Sequence, residues 1–384
     1  MQKILKKIDI IAKKIDRRIV LMELCGTHTE AVARYGIKKL LPKNIKLLSG
    51  PGCPVCVTDQ RDINAIIALA LNNIPIACYG DVLRVPGTIV TLSLSKGSMV
   101  RQAHHDTKAI SLDRAREMGA DVNEVYSTED ALKLQKEKPD LVFFGLGFET
   151  TAPMTANAIK RGLTVYSSHK LFVPAMQALI DTPSLKIDGF INPGHVSVII
   201  GTEPYAKIKM QKSKCKMTNK NSKIINKIIP QVITGFTGED VLVGIYMLLK
   251  QISEGRAEVE NEYTRAVKSA GNLIAQKLIN EVFEIEDAYW RGLGKIPNSG
   301  LKIRDKYSDF DAKVKYKDII QNSIRQSADK ITSSVCICGA ILRGLKEPQD
   351  CKLFCKTCTP ENPIGACMVS SEGACGIEAK YKIN

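Results

Sequence analysis

Short apolar runs alternate with polar motifs along the first 240 residues of the chain. Each run leads into a motif rich in glycine, proline or threonine and then into a segment with helical periodicity, as in RIVLMEL–CGTHTE, LVFFGLG–FETTAP and DGFIN–PGHVSVIIG. Apolar runs this short and continuous are typical of strands buried on both faces, with helices between them. The pattern predicts an α/β fold of βαβ units with parallel sheets, in which ligands bind outside the carboxyl ends of the strands.

The strand pattern predicts two α/β domains that face a cleft. The first, residues 18–139, carries CGTHT and GPGCPVC, and the second, residues 140–238, carries GFETT and PGHVS. We place the boundary there because LVFFGLG restarts the strand pattern after a helical segment. The motifs of both domains then lie at the strand ends that line the cleft.

The two ends of the chain show residue patterns that differ from the alternation of strands and helices between them. Residues 1–17 have isoleucines on one helical face and lysines around them, which predicts a basic amphipathic helix that packs on the body. Helical periodicity over 239–254 and 256–281, followed by an irregular segment and many cysteines, predicts a helical, cysteine-rich domain at 239–384.

Composition narrows the class of protein. The 384 residues are 44% hydrophobic and 25% charged, which are ordinary values for a globular chain. No apolar run reaches the ~18 residues that a membrane-spanning helix needs. The amino-terminal segment also lacks the continuous apolar core and cleavage site of a secretory signal. We therefore expect a cytoplasmic protein with no membrane span.

The net charge of +15 raises the question of nucleic-acid binding. Much of the excess lies in residues 205–229, which contain eight lysines, no acid and a single aromatic residue, Tyr205. Proteins that bind single strands stack the bases on aromatic side chains. We interpret this segment as a solvated loop, which disfavours nucleic acid as a partner.

The cysteines add candidate chemistry. The chain has twelve, and in a reducing compartment cysteines are more often metal ligands or redox thiols than structural disulfides. Seven of them lie between Cys336 and Cys375, and three lie near the front, at Cys25, Cys53 and Cys56. This distribution predicts two separate thiol sites.

The front cysteines belong to two motifs that follow predicted strands. In GPGCPVC, Cys53 and Cys56 are close enough to form a disulfide or to share a metal, and helix amides would favour their thiolate forms. Half of a zinc ribbon is the alternative, although no second CxxC follows at ribbon spacing. In CGTHT, Cys25 and His28 fit a nucleophile with its base or two metal ligands, and a buried thiol beside a helix cap fits equally well. Because both motifs end at one sheet edge, we favour a site shared by Cys25, Cys53 and Cys56.

Two further motifs follow strands of the second predicted domain. Glu149 in GFETT and His195 in PGHVS supply a carboxylate and an imidazole, which can move protons if they face a cleft. The threonines beside Glu149 also fit helix caps. The chain contains neither GxxxxGK[ST] nor GxGxxG, so the sequence gives no support for nucleotide binding.

The seven cysteines at the carboxyl terminus exceed the four that one tetrahedral zinc needs, and their spacing fits no zinc-finger pattern. Four thiolates could hold a [4Fe-4S] cluster and leave a redox pair. Zinc is the alternative metal. The spacing alone does not choose among the thiols.

Taken together, these motifs resemble those of the HypD family of [NiFe]-hydrogenase maturation factors. CGTHT, GPGCPVC, GFETT, PGHVS and the ending CxCG…CTPENPIGACMVSSEGAC occur in that order between residues 20 and 378. The resemblance implies a cytoplasmic assembly factor that, with a small HypC-type partner, scaffolds an iron carrying two cyanides and one carbon monoxide. A HypE-type protein would donate the cyanide, and the hydrogenase large subunit would be served indirectly.

The resemblance also implies roles for the front residues. Cys25 would be an iron ligand, with the terminal cysteine of the HypC-type partner. Cys53 and Cys56 would form a nearby redox dithiol, and we assign Cys56 to the iron as well. Three polar residues would line the cleft between the domains: His28, Glu149 and His195.

The carboxyl-terminal domain is similar to ferredoxin:thioredoxin reductase, in which a cluster lies beside a reducible disulfide. By that analogy the cluster ligands are Cys336, Cys351, Cys358 and Cys375. The redox pair would be Cys338 and Cys367, and electrons would run from the cluster through this pair towards Cys53 and Cys56.

Several positions depart from the family pattern. Residues 88–110 and the lysine-rich stretch 207–227 look like insertions. Thr237 stands where the family usually has glutamate, and Cys355 stands where it generally has glycine, so Cys355 is a spare thiol or an alternative ligand.

The sequence therefore predicts a scaffold for the iron moiety of [NiFe]-hydrogenase with redox support from thiols and an iron–sulfur cluster. Two alternatives belong to other classes. One is a free-standing iron–sulfur thiol:disulfide reductase, and the other is a zinc-stabilised binding module.

Overall fold

The structure is a computed structural model that describes residues 1–88, 110–208, 229–327 and 335–381, with side chains up to residue 325 in the third range. Most of the two predicted insertions, at 88–110 and 207–227, lies outside the described residues. Within the described ranges, no helix is both long and apolar enough to cross a membrane.

Eleven strands form three sheets in the described part of the chain. The first sheet has the strand order β2-β1-β7-β8-β9, the second β4-β3-β5-β6, and β10 pairs with β11. All pairs in the first two sheets are parallel, and the β10–β11 pair is antiparallel. The strands are β1 (Ile19–Glu23), β2 (Ile45–Ser49), β3 (Ile76–Cys78), β4 (Val122–Glu124), β5 (Val142–Gly147), β6 (Thr164–His169), β7 (Gly189–Pro193), β8 (Gln231–Thr234), β9 (Val259–Asn261), β10 (Phe283–Trp290) and β11 (Gly294–Ile303).

Helices connect the strands and dominate the carboxyl-terminal region. The described residues include three short 3₁₀ helices, at Glu203–Lys207, Asp305–Phe310 and Pro348–Asp350. The α-helices are α1 (Gln2–Ala12), α2 (Gly26–Arg34), α3 (Ile37–Leu40), α4 (Pro54–Val57), α5 (Gln60–Leu71), α6 (Gly80–Leu83), α7 (Leu112–Glu117), α8 (Thr128–Glu137), α9 (Ala152–Lys160), α10 (Phe172–Asp181), α11 (Gly194–Ile200), α12 (Gly238–Ser253), α13 (Leu273–Val282), α14 (Ala312–Lys315), α15 (Lys317–Ser327), α16 (Cys338–Leu342), α17 (Ala366–Val369) and α18 (Ala374–Lys380).

Two parallel sheets are present, as predicted, but their strands do not separate at residues 139 and 140. β3 and β4, from the predicted first domain, belong to the second sheet with β5 and β6, while β7 and β8 return to the first sheet beside β1. LVFFGLG therefore continues a sheet rather than restarting one. The reason is that Ile76 and Ala77 of β3 pair directly with Val142 and Phe143 of β5.

Burial explains the apolar strand runs. Every residue of β5, β6, β7 and β8 is buried, because helices cover both faces of the parallel sheets. The amino-terminal helix α1 packs on α12 through Ile8 and Ala12, which are fully or almost fully buried. The isoleucine face of α1 thus contributes Ile8 to the contact with α12.

The region after residue 254 differs from the prediction. Residues 256–281 are not one helix, because β9 adds to the edge of the first sheet and Gly271 has a left-handed backbone (φ 68°) ahead of α13. The segment predicted to be irregular contains the β10–β11 hairpin, which is anchored by the buried Trp290 and its hydrogen bond to Ser299 Oγ at 2.9 Å. Tertiary pairing overrides the helical propensity of this region.

Candidate functional site

A cleft of ≈ 410 Å³ lies where the carboxyl ends of both parallel sheets meet. In the first sheet the crossover direction reverses between β1 and β7, and in the second sheet it reverses between β3 and β5. Such reversal points open a crevice at the strand ends. The cleft is lined by residues that follow these four strands, including Cys25, His195, Asp81 and Phe148, and by Ser370 and Glu372 from the carboxyl-terminal region.

Cys25 lies at the floor of the cleft as the N-cap residue of α2 and is only 6% exposed. Burial and the nearby carboxylate of Glu372 raise the pKa of its thiol to about 12, although the backbone N–H groups of His28 and Thr27 act in the opposite direction. The free protein therefore holds Cys25 as a neutral thiol. A cationic metal would supply the positive charge that its thiolate needs.

Glu23 holds the backbone of Cys25 through a hydrogen bond, and the sequence motifs did not identify this residue. Its Oε2 accepts a hydrogen bond from the Cys25 backbone N–H at 3.0 Å, and its Oε1 accepts one from Thr29 Oγ1 at 2.5 Å. Burial raises the pKa of this carboxyl to about 7. A charged residue in the last position of an otherwise apolar strand was the signal that could have identified it.

Cys53 and Cys56 form a disulfide directly beside this loop. Gly52 lies so close to Cys25 that a Cβ at this position would collide with the Cys25 backbone. In this form Cys56 has no free thiolate, so the front cysteines do not make a three-thiol site. Across the described residues, no group of three or more His, Cys, Asp and Glu side chains is arranged to hold a metal ion. The assignment of Cys56 to iron stays a prediction for the reduced protein.

The structure separates the two predicted histidines. His195 is exposed and lines the cleft, where its ring stacks on Phe236 at 3.7 Å between centroids. His28 stacks on Phe236 at 5.1 Å but is fully buried, with Nε2 3.0 Å from both Gly235 O and Thr234 Oγ1. Burial lowers the pKa of His28 to about 4, so this imidazole is neutral. His28 supports the cleft from behind rather than lining it.

Glu149 is also buried, behind the residues that line the cleft. Its Oε1 accepts a hydrogen bond from Phe172 N at 3.0 Å, while Oε2 is buried with no hydrogen-bond partner among the described residues. Burial raises the pKa of Glu149 to about 7. The neighbouring Thr150 and Thr151 line the cleft in its place.

Replacing Glu149 with glutamine is expected to stabilise the protein at high pH. The pKa of Glu149 is about 7 in the folded protein and 4.5 ordinarily, so between these values only the folded state holds the proton. Folding stability from this group is therefore full below pH 4.5 and is lost as the pH rises to about 7. At pH 8 the variant should gain up to about 3 kcal/mol relative to wild type, and near pH 4.5 it should gain nothing.

Urea unfolding of both proteins at several pH values measures this difference, and shared groups such as Glu23 and His28 cancel in it. If the difference in the free energy of unfolding between the two proteins did not change with pH, the raised pKa of Glu149 would be contradicted.

Six cysteines surround one small cavity in the carboxyl-terminal region, and no charged side chain lines it. Burial and the neighbouring thiols raise the pKa of Cys375, and Cys338 shares hydrogen bonds with the thiols of Cys336 and Cys367. The predicted redox partners Cys338 and Cys367 are thus in contact, as free thiols. The cavity-lining cysteines are Cys336, Cys338, Cys351, Cys358, Cys367 and Cys375.

Two departures from the family pattern have local explanations. Cys355 does not line the cysteine cavity, and its backbone is left-handed (φ 52°), a conformation that favours glycine. Thr237 is the N-cap of α12, where its hydroxyl accepts from Asp240 N and the Asp240 carboxylate accepts from Thr237 N, both at 3.1 Å. Thr237 therefore has a capping role.

A comparison with known proteins gives the same family as the sequence motifs. The family model described as "HypD: Hydrogenase formation hypA family" matches residues 1–382. The chain belongs to the HypD family. The hydrogenase maturation factor HypD of Azotobacter vinelandii is 42% identical over 381 residues, 95% of this chain and 90% of that protein.

Two further relatives come from other organisms. The hydrogenase maturation factor HypD of Cupriavidus necator is 41% identical over 386 residues, 95% of this chain and 90% of that protein. A putative hydrogenase expression/formation protein of Methanocaldococcus jannaschii is 41% identical over 391 residues, 100% of this chain and 97% of that protein. The resemblance to HypD proteins is confirmed, and with it a general role in hydrogenase maturation.

Proposed function

We propose that this HypD-family protein holds an iron atom at Cys25 while its cyanide and carbon monoxide ligands are assembled. The observation that carries the proposal is the position of Cys25, the one free thiol in the described lining of the cleft where both sheets reverse direction. Ferrous iron with these ligands is soft, and soft metals prefer thiolates. The iron is cargo, which leaves the protein for the hydrogenase large subunit.

The cleft has a mixed lining in which hydroxyl and imidazole groups lie beside apolar side chains, an arrangement that suits a cargo with diatomic ligands. Thr150 and Thr151 line it beside the apolar Leu146 and Phe148, and His195 lies on the opposite wall. Hydroxyl and imidazole N–H groups can donate hydrogen bonds to cyanide nitrogens, and such outer contacts orient metal ligands. We assign this task to Thr150 and His195, and not to the buried His28. The Thr151 hydroxyl already donates to the Leu146 carbonyl oxygen at 3.3 Å.

Partner proteins would complete the site. Cys25 alone is one ligand, so the iron needs a further thiolate, which we assign to the terminal cysteine of a HypC-type partner. A HypE-type protein would deliver cyanide in covalent form. The cleft lining fits this supply, because none of its described residues is a lysine or arginine that would attract free anionic cyanide.

Cys53 and Cys56 supply redox capacity beside Cys25. Reducing their disulfide takes two electrons and two protons and releases two thiols, one of which can then approach the iron. The disulfide also faces the carboxyl-terminal region, since Cys56 Sγ lies 4.0 Å from the Ala366 carbonyl oxygen, next to Cys367. We therefore propose that the thiols at residues 338 and 367 belong to the same redox system.

The cysteine cavity fits an iron–sulfur cluster. Its lining of six cysteines without a charged side chain would be a costly arrangement for thiolates alone, and bound iron would compensate their charge. A [4Fe-4S] cluster bound there would supply one-electron chemistry. The ligands we assign are Cys336, Cys351, Cys358 and Cys375.

Replacing Cys56 with alanine is expected to reduce hydrogenase maturation in cells to the level seen without the protein, because one thiol cannot form the disulfide. The double variant Cys53→Ala/Cys56→Ala should lose no more than the single variant, since the pair acts as a unit. Full hydrogenase activity with Cys56→Ala would remove the dithiol from the mechanism and leave Cys25 as the only front thiol in use.

A further inference from the structure

The segment Ser370–Glu372, here called the clasp, joins the two walls of the cleft. It lies between Cys367 and Cys375 in the sequence, and Ser370 and Glu372 line the cleft together with Cys25. The clasp therefore connects the cysteine cavity to the mouth of the Cys25 site. Its attachments to the two walls differ in kind.

On the wall formed by the second sheet, one carboxylate oxygen holds the clasp. Asp81, in α6 directly after β3, accepts three hydrogen bonds at Oδ2: from Ser370 Oγ at 2.9 Å, from Ser371 N at 3.1 Å and from Ser371 Oγ at 3.0 Å. Hydrogen bonds to an ionised acceptor are about twice as strong as neutral ones. Asp81 is thus the main polar anchor of the clasp in the described contacts.

On the wall formed by the first sheet, the clasp packs against the residues that follow Cys25. Thr27 Oγ1 donates a hydrogen bond to Glu372 Oε1 at 3.2 Å. Gly26 lies so close to Glu372 that a Cβ would overlap with it, so the two backbones are in direct contact. The clasp thereby covers the loop that carries the Cys25 thiol, which is 6% exposed.

We propose that Asp81 is a positioning residue that closes the clasp over Cys25 and so controls access to its thiol. This inference deepens the proposed function, on which it rests for the identity of the cargo that must enter. The geometry applies to any reagent that reaches Cys25. Entry of iron then requires the three hydrogen bonds at Asp81 to break. Because the clasp lies between Cys367 and Cys375, a change at either cysteine would also affect its position.

The test is the rate at which iodoacetamide alkylates Cys25 in the full-length, anaerobically purified protein, read at that residue by mass spectrometry. Asp81→Ala is expected to raise the rate by about tenfold or more, because local opening costs less without its hydrogen bonds. Asp81→Asn keeps one acceptor oxygen and should give an intermediate rate. Glu124→Gln is the matched control: Glu124 lines the same wall and loses the same charge, but it makes none of the described contacts with the clasp.

Ser371→Ala provides a second variant in case Asp81→Ala does not fold. Ser371 is exposed, so the change removes one hydroxyl donor from the clasp and should raise the rate severalfold. Wild-type rates in Asp81→Ala and Ser371→Ala would overturn the proposal, as would an equal acceleration by Glu124→Gln. The test needs no iron, so its failure would leave the proposed function standing, and loss of the iron proposal would leave this result intact.

Discussion

Replacing Cys25 with alanine is expected to lower hydrogenase maturation in cells by ~100-fold or more. Even residues that only support a metal ligand change affinity or activity by roughly 10- to 100-fold when replaced, and Cys25 is proposed as the ligand itself. The change removes a single sulfur atom at the N-cap of α2 and leaves the Cys53–Cys56 disulfide in place. Hydrogenase activity of cells carrying the variant measures the effect.

Cys78→Ala is the matched control for this experiment. Cys78 is also a buried free thiol, but it lies within β3 and does not line the cleft. Its replacement should leave maturation close to wild type. If the Cys25 variant retained more than about a tenth of the activity, the thiol would not be an obligatory iron ligand.

The second large effect is expected at the cysteine cavity. Cys375→Ala should remove the iron–sulfur cluster from anaerobically purified protein and lower its thermal stability, because a cluster bound only by the folded state adds its binding free energy to folding. Cys375 is the thiol whose pKa is raised by burial and then by Cys338, Cys336, Cys358 and Cys351, so it lies among most of the cavity-lining sulfurs. Iron and sulfide analysis, with the brown absorbance, measures cluster content.

Two other variants separate ligands from neighbours. Cys367→Ala should keep the cluster, because Cys367 belongs to the proposed redox pair. Cys355→Gly should also keep it, and it should tolerate the left-handed backbone better than wild type. A cluster retained in Cys375→Ala and lost in Cys367→Ala would show that the ligand set is wrong, and stoichiometric zinc in place of iron would show that the metal is wrong.

The strand ends were predictable from the sequence because local patterns determine them. Fully buried strands such as β5 and β7 are continuous apolar runs, and the residues after them must lie at one edge of a parallel sheet. From that rule, Cys25 and His195 are predicted to line one cleft, and they do. It could not assign strands to sheets, because whether β3 pairs with β5 depends on long-range packing that leaves no local pattern.

Other features were hidden from the sequence for specific reasons. In β10, Glu286 and Ala288 flank a register shift and Ile285 is exposed, so the strand shows no clean alternation. His28 and Glu149 lie in motifs at the cleft edge, yet both side chains are buried in the core. Asp81 holds the clasp through hydrogen bonds to residues almost 290 positions away in the sequence. No local sequence pattern indicates a contact over such a separation.

Cys25 is proposed to hold an iron atom carrying cyanide and carbon monoxide. Infrared spectroscopy of the protein, purified without oxygen in complex with its HypC-type partner, tests this claim most directly. We expect absorption bands of iron-bound cyanide and carbon monoxide in the wild-type complex, and their absence in the Cys25→Ala complex at equal cluster content. Wild-type complexes without these bands, or bands that persist in Cys25→Ala, would contradict it.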